Sequence, residues 1–270
     1  MSPTEYFWLS LLLKAALTSS IIVTASMIVE RGGPLLGAMI ASLPTSVGAA
    51  YIVMAVEHSP KFISNSALGS LTANAAGVTF AAIYARLART QSLAVSLGGA
   101  LIVWFVCAWA LRHIEFSLWS AIALNIVVAT LAIWATATLR TKSFPRAATV
   151  ARAYDIPLRA AMVSAFVIIV TTLSHTIGAF ASGVFAVFPI AMSSFIIILH
   201  SRIGGPATSN VIAHAQIPML GLIAAFLAVY LFSVTLGVWW ALLIALVASL
   251  VWNAILWTWR TQFAAKLPME

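Results

Sequence analysis

Phe62–Leu87 reads FISNSALGSLTANAAGVTFAAIYARL, an apolar run with no charged residue before Arg86. A helix needs about 20 such residues to cross the hydrocarbon core, so this stretch is long enough. Ser66, Ser70 and Asn74 recur in it every four residues, with Asn65 and Thr72 nearby. That spacing puts one polar set on one helix face, and such a face must turn toward other protein rather than lipid. Gly69 and Gly77 let a neighbouring helix come close. The stretch reads as a helix inside a membrane bundle.

The flanking sequence extends the pattern. The chain has 270 residues, 63% hydrophobic and 7% charged, with a mean hydropathy of +1.07. Soluble domains carry about 25% charged residues, so there is too little charge here to cover a water-soluble globule. Apolar runs between breakers give about nine transmembrane helices: Tyr6–Val29, Pro34–Val56, Phe62–Leu87, Ser92–Leu111, Phe116–Leu139, Ile156–Leu173, Gly178–His200, Pro206–Phe232 and Val238–Trp259. Turn chemistry marks the breaks at Gly32-Gly33-Pro34, Ser59-Pro60 and Gly204-Gly205-Pro206. The fold expected is an all-α polytopic membrane protein. The start, Met1-Ser2-Pro3-Thr4-Glu5, has no basic region or small-residue cleavage site, so the first run is expected to stay as a span. The single cysteine, Cys107, excludes an internal disulfide and any cysteine-based metal site.

The formal net charge of +8 does not point to nucleic acid, because the basic residues sit between apolar runs and not in one stripe. Arg31, Arg86, Arg89, Arg140, Lys142, Arg146, Arg152, Arg159, Arg202, Arg260 and Lys266 fall in odd-numbered loops or near the C-terminus. Only Lys61 and Arg112 fall on the other side, and Lys14 lies within the first span. Positive residues stay in the cytoplasm. The expected topology in a bacterial inner membrane is therefore N-terminus outside and C-terminus cytoplasmic, with residues 140–155 as a basic cytoplasmic loop that can touch anionic headgroups.

The chain also aligns with itself at an offset of 145. Lys14-Ala15-Ala16 falls on Arg159-Ala160-Ala161, Gly33 on Gly178, Pro44 on Pro189, and Ser64-Asn65 on Ser209-Asn210. After a short insertion, Val103-Trp104, Trp109 and Arg112 match Val251-Trp252, Trp257 and Arg260. Spans one to four then correspond to spans six to nine. Five helices separate the two starts, so the second copy enters the membrane upside down. The expected organisation is two inverted four-helix repeats joined by one extra helix: residues 1–113, a linking helix and basic loop at 114–155, and residues 156–270. Secondary transporters use this arrangement widely.

Lys14-Ala15-Ala16-Leu17, Gly37 with Leu43-Pro44-Thr45, Tyr51-Ile52-Val53 and Ala108-Trp109 resemble the GlpM family of small four-helix bacterial inner-membrane proteins. The resemblance covers about the first 110 residues. The second half keeps Pro189 but has Ile190 where the first has Thr45. The resemblance implies a tandem, inverted version of that unit and implies little about mechanism.

Pro44 and Pro189 lie near the middle of their spans, and a mid-span proline frees a backbone carbonyl. Two symmetry-related breaks near the midplane are the sequence sign of a transporter site. Thr45, Ser46 and Ser193 stand beside them. Asn74, His214 and Gln216 are expected to line the same cavity, and Lys14 to draw an anion toward it; the alternative for Lys14 is a side chain snorkelling to the outer face. The only acids are Glu5, Glu30, Glu57, Glu115, Asp155 and Glu270, all in loops or at span ends. Proton or sodium coupling would have to use Glu30, Glu57, a histidine or backbone carbonyls. No paired acids, HExxH, Walker sequence or GxSxG occurs, so an enzyme reading has no starting point, and no cofactor is expected. The function expected is secondary transport or facilitation of a small polar or anionic solute. The alternative is a non-transporting assembly factor supporting lipid or exopolysaccharide export. Membrane lipids are the expected surroundings, and a homodimer is compatible with the sequence.

Overall fold

The computed structural model describes residue 9 and residues 12–21, 23–24, 45–140 and 155–264. Pro44, Glu30, Arg31, Gly33, Gly37, Leu43, the basic residues Lys142, Arg146 and Arg152, and Lys266 lie outside the described residues. So do the side chains of Thr45 and Arg260. Every described element is helical. In chain order these are α1 (Leu12–Ile21), α2 (Thr45–Glu57), α3 (Pro60–Leu87), α4 (Leu93–Leu111), α5 (Leu118–Ala135), α6 (Asp155–Ile177), α7 (Ala179–Ala186), α8 (Ile190–Met219), α9 (Gly221–Phe232) and α10 (Val238–Ala264).

Six helical segments are long and apolar enough to cross a membrane: α3, α4, α5, α6, the run Ala179–Phe232, and Val238–Trp259. This makes the chain an all-α membrane protein. The helix starts follow local chemistry. Ser59 caps α3 by accepting from Phe62 N with Pro60 in the first turn, Ser92 caps α4 through Val95 N, and Ser117 and Ser120 form a reciprocal box at the start of α5.

The bundle is built around α3, which is almost wholly buried and packs against α4, α5, α7, α8 and α9. Small residues make this possible. A Cβ added at Gly69 would lie 2.1 Å from Phe180 O, and one at Gly183 would lie 1.8 Å from Ser66 O. The two helices therefore touch backbone to backbone, the close approach that glycine permits between membrane helices. Hydroxyls seal the contact: Ser66 donates to Ala179 O at 2.9 Å and Ser70 to Gly183 O at 2.7 Å.

The 54-residue run from Ala179 to Phe232 passes along α3 twice. Ser66 meets Ala179, Ser70 meets Gly183 and Tyr84 meets His200, so this first pass runs parallel to α3. At Gly204 the backbone turns with φ +79, a conformation that glycine adopts without steric cost. After it, Ser209 donates to Ala85 O and Ser64 donates to Tyr230 O at 2.7 Å, so the second pass runs antiparallel. The glycine-glycine-proline break expected from sequence is thus a reversal of direction. Loops gather at two ends of the bundle. One holds Lys14, Glu57, His58 and His175, and the other holds Ala88, Asp155, Arg202 and Gly204.

Candidate functional site

The break expected at Pro189 divides the first pass. α7 stops at Ala186, and α8 starts at Ile190 with Pro189 as its leading residue (φ −77, ψ 45). A helix leaves its last four carbonyls and first four N–H groups without intrahelical partners. At the α7 end, Gly183 O is one of these carbonyls, and Ser70 satisfies it. Ser70 in turn lies 2.7 Å from the Tyr51 hydroxyl on α2. At the α8 start, Pro189 O accepts from Ser193 N at 2.8 Å. Aromatic rings surround the gap: Phe188 packs edge-on to Trp104 at 4.9 Å and stacks on Phe166 at 4.8 Å, with Phe105 at 5.6 Å. Two polar groups near this break are buried with no hydrogen-bond partner among the described residues, the Ser193 hydroxyl and the Trp104 indole N–H. Ser46 is also buried, on α2, which packs against α7 and α8.

The other expected site residues lie elsewhere. Asn74, fully buried, donates through Nδ2 to Asn125 Oδ1 at 2.9 Å, and Asn125 donates to Leu71 O at 2.7 Å and Ala121 O at 2.9 Å. Gln216 Oε1 accepts from Thr136 at 3.0 Å. Both amides thus fasten α5 and the turn that follows it to α3 and α8. His214 Nδ1 lies 3.0 Å from Asn210 O, within its own helix. Of the residues named from sequence, Pro189 and Ser193 share one neighbourhood, while Asn74, Gln216 and Lys14 do not join it.

Lys14 belongs to a cluster at one end of the bundle. Its Nζ lies 2.8 Å from Glu57 Oε1, while Glu57 Oε2 lies 3.4 Å from His175 Nε2. His58 stacks on Phe62 with ring centres 3.8 Å apart, lies 4.6 Å from the His175 ring, and meets Ser174 Oγ at 2.7 Å. Burial, and then the neighbouring His175 and Lys14 acting against Glu57, pushes His58 below the usual histidine range. Sequence reasoning missed this group. Glu57 and His58 adjoin each other, but more than a hundred residues separate them from His175, and no spacing signal links such positions. Comparison with family models, curated proteins and solved structures finds no match.

Proposed function

We propose that the chain is a secondary transporter or facilitator for a small polar or anionic solute, with its pathway passing the gap between α7 and α8. One observation carries this reading. A helix N-terminus opens inside the bundle beside two buried, unsatisfied donors, Ser193 and Trp104. Helix N-termini carry partial positive charge, and discontinuous helices aim such ends at anionic substrates in known transporter architectures. An O–H and an indole N–H beside a helix N-terminus are what a carboxylate or polar solute needs.

The inverted repeat belongs to the same reading, and three hydrogen bonds support it. Ser19 and Ser164, 145 positions apart, touch each other at 2.8 Å. Shifting Ser64 by the same offset gives Ser209, and shifting Ala85 gives Tyr230. The bonds Ser64 to Tyr230 O and Ser209 to Ala85 O are therefore exchanged by the operation that swaps the halves. Contacts exchanged in this way support a twofold relation, and the antiparallel course of the two helices fits an axis lying across them. The resemblance to GlpM-like proteins, the inner-membrane location and the cytoplasmic C-terminus are held on the sequence motifs and the charge bias.

Proteoliposome swelling tests the reading. Vesicles holding the purified protein should swell faster than empty ones in glycerol, or in isosmotic potassium acetate with valinomycin to carry the counter-ion, and no faster in choline chloride. Ser193→Ala should slow this swelling. Folded, reconstituted protein that speeds swelling in none of the three would refute the proposal. A second reading, a non-transporting assembly factor, is favoured by how many hydroxyls and amides on α3 and α8 are used between helices. It predicts that refuting result.

A further inference from the structure

We propose that Glu57, His58 and His175 form a zinc-binding site at the end of the bundle where α2 turns into α3. One donor atom from each of the three lies within 4.8 Å of the others, close enough for small side-chain rotations to converge on one ion. Two imidazoles and a carboxylate are a zinc donor set, whereas magnesium and calcium take oxygen ligands.

Three details separate this group from a chance meeting of polar side chains. Glu57 Oε2 is buried, has no hydrogen-bond donor among the described residues, and is directed toward His175. An unsatisfied buried carboxylate oxygen is costly, and an ion there would remove that cost. The His58 ring is held on both sides, by stacking on Phe62 and by Ser174. Ser174 donates its one proton to Thr171 O at 2.6 Å, so toward His58 it accepts. Nε2 of His58 then carries the ring proton and Nδ1 keeps a bare lone pair. Orientation of a ligand imidazole through its other nitrogen is the usual support of a zinc histidine. Finally, the His175 side chain is 52% exposed, leaving an entry path and a coordination position for water.

Lys14 opposes the ion. Its ammonium holds Glu57 Oε1 and places a positive charge beside the site, so it sets the affinity low and makes binding reversible. The ligands come from the α2–α3 turn and from the end of α6, elements in opposite halves of the chain. A bound ion would clamp those halves together at one mouth. The site stands on this geometry alone and does not depend on the transport reading.

Equilibrium dialysis of the full chain in detergent against zinc chloride, with any affinity tag removed and the metal quantified, tests the proposal. One zinc per chain is expected. His175→Ala and Glu57→Gln should abolish saturable binding, and Ser174→Ala should weaken it about tenfold. Lys14→Met should tighten it by about tenfold or more through relief of one nearby like charge. This gain cannot come from misfolding. His113→Gln, far along the sequence, should leave binding unchanged. Absence of saturable binding by the wild type overturns the proposal, as does binding that survives both His175→Ala and Glu57→Gln.

Discussion

Gly183→Ala tests the contact on which the bundle rests. The added Cβ would lie 1.8 Å from Ser66 O and 2.6 Å from Ser66 C, all backbone atoms that cannot rotate away. Non-bonded heavy atoms settle at roughly 3.5 Å, so α7 must retreat from α3 by roughly 1.5 Å. A movement of that size carries the Ser66–Ala179 O and Ser70–Gly183 O bonds, now 2.9 and 2.7 Å, past hydrogen-bonding range. Overpacking costs about 1–3 kcal/mol and each interhelical hydrogen bond in a membrane about 0.6 kcal/mol. The expected loss is therefore about 2–4 kcal/mol. Reversible unfolding in mixed micelles with rising SDS, followed by circular dichroism, measures it. Gly98→Ala is the control, since nothing lies within 4 Å of a Cβ there and alanine favours the helix by about 1 kcal/mol. Gly183→Ala unfolding within about 0.5 kcal/mol of wild type, the range of an innocuous surface change, would refute the packing argument.

Asn125→Ala should cost about 1–3 kcal/mol in the same assay, because it strands the Asn74 amide in the interior. The double replacement Asn74→Leu with Asn125→Leu should cost less than the sum of its two single changes. Ser19→Cys with Ser164→Cys, in a chain whose Cys107 is replaced by serine, should oxidise to an intramolecular disulfide that changes mobility on a non-reducing gel. Failure to cross-link would deny the contact between positions 145 apart. His58 also makes stability depend on pH. Its folded value lies below the ordinary one of roughly 6.5, so the unfolded chain binds the extra proton first. The stabilisation is complete above that pH and is lost as pH falls through the folded value. Thermal melting in detergent should drop across this acid interval, and His58→Gln should flatten that part of the profile.

The all-helical, membrane-spanning character was readable in the sequence because hydropathy and turn chemistry agree along the chain. Six long apolar segments stand among the described residues where the sequence suggested about nine spans. Ser59-Pro60 starts a helix, and Gly204-Gly205-Pro206 turns one back on itself. The polar face of α3 was only half readable. A step of four residues advances a helix by about 40° beyond a full turn, so from Ser66 to Asn74 the face rotates by about 80°. That drift takes Ser66 and Ser70 against α7 but turns Asn74 to α5. Asn125, the partner it finds, gave no signal because it stands alone in an apolar helix. The proline break was visible as a residue type in the wrong place. The shortness of α7 and the unsatisfied Trp104 were not, since both depend on what packs around the gap. Lys14 showed as a cation within a span, but its partner Glu57 could be found only in three dimensions.

The burial of α3 has a consequence for how the protein is made. Among the six long apolar segments it is the least hydropathic, and its hydroxyls rely on carbonyls of α7 and α9. The ribosome completes α3 long before it has synthesised either. During that interval the nascent helix faces the bilayer with its serines uncovered, where polar side chains disfavour insertion. Biogenesis must therefore hold this segment at the insertion machinery until the later helices arrive. Chains truncated before Gly178 should be retained there or degraded, not released as a stable half.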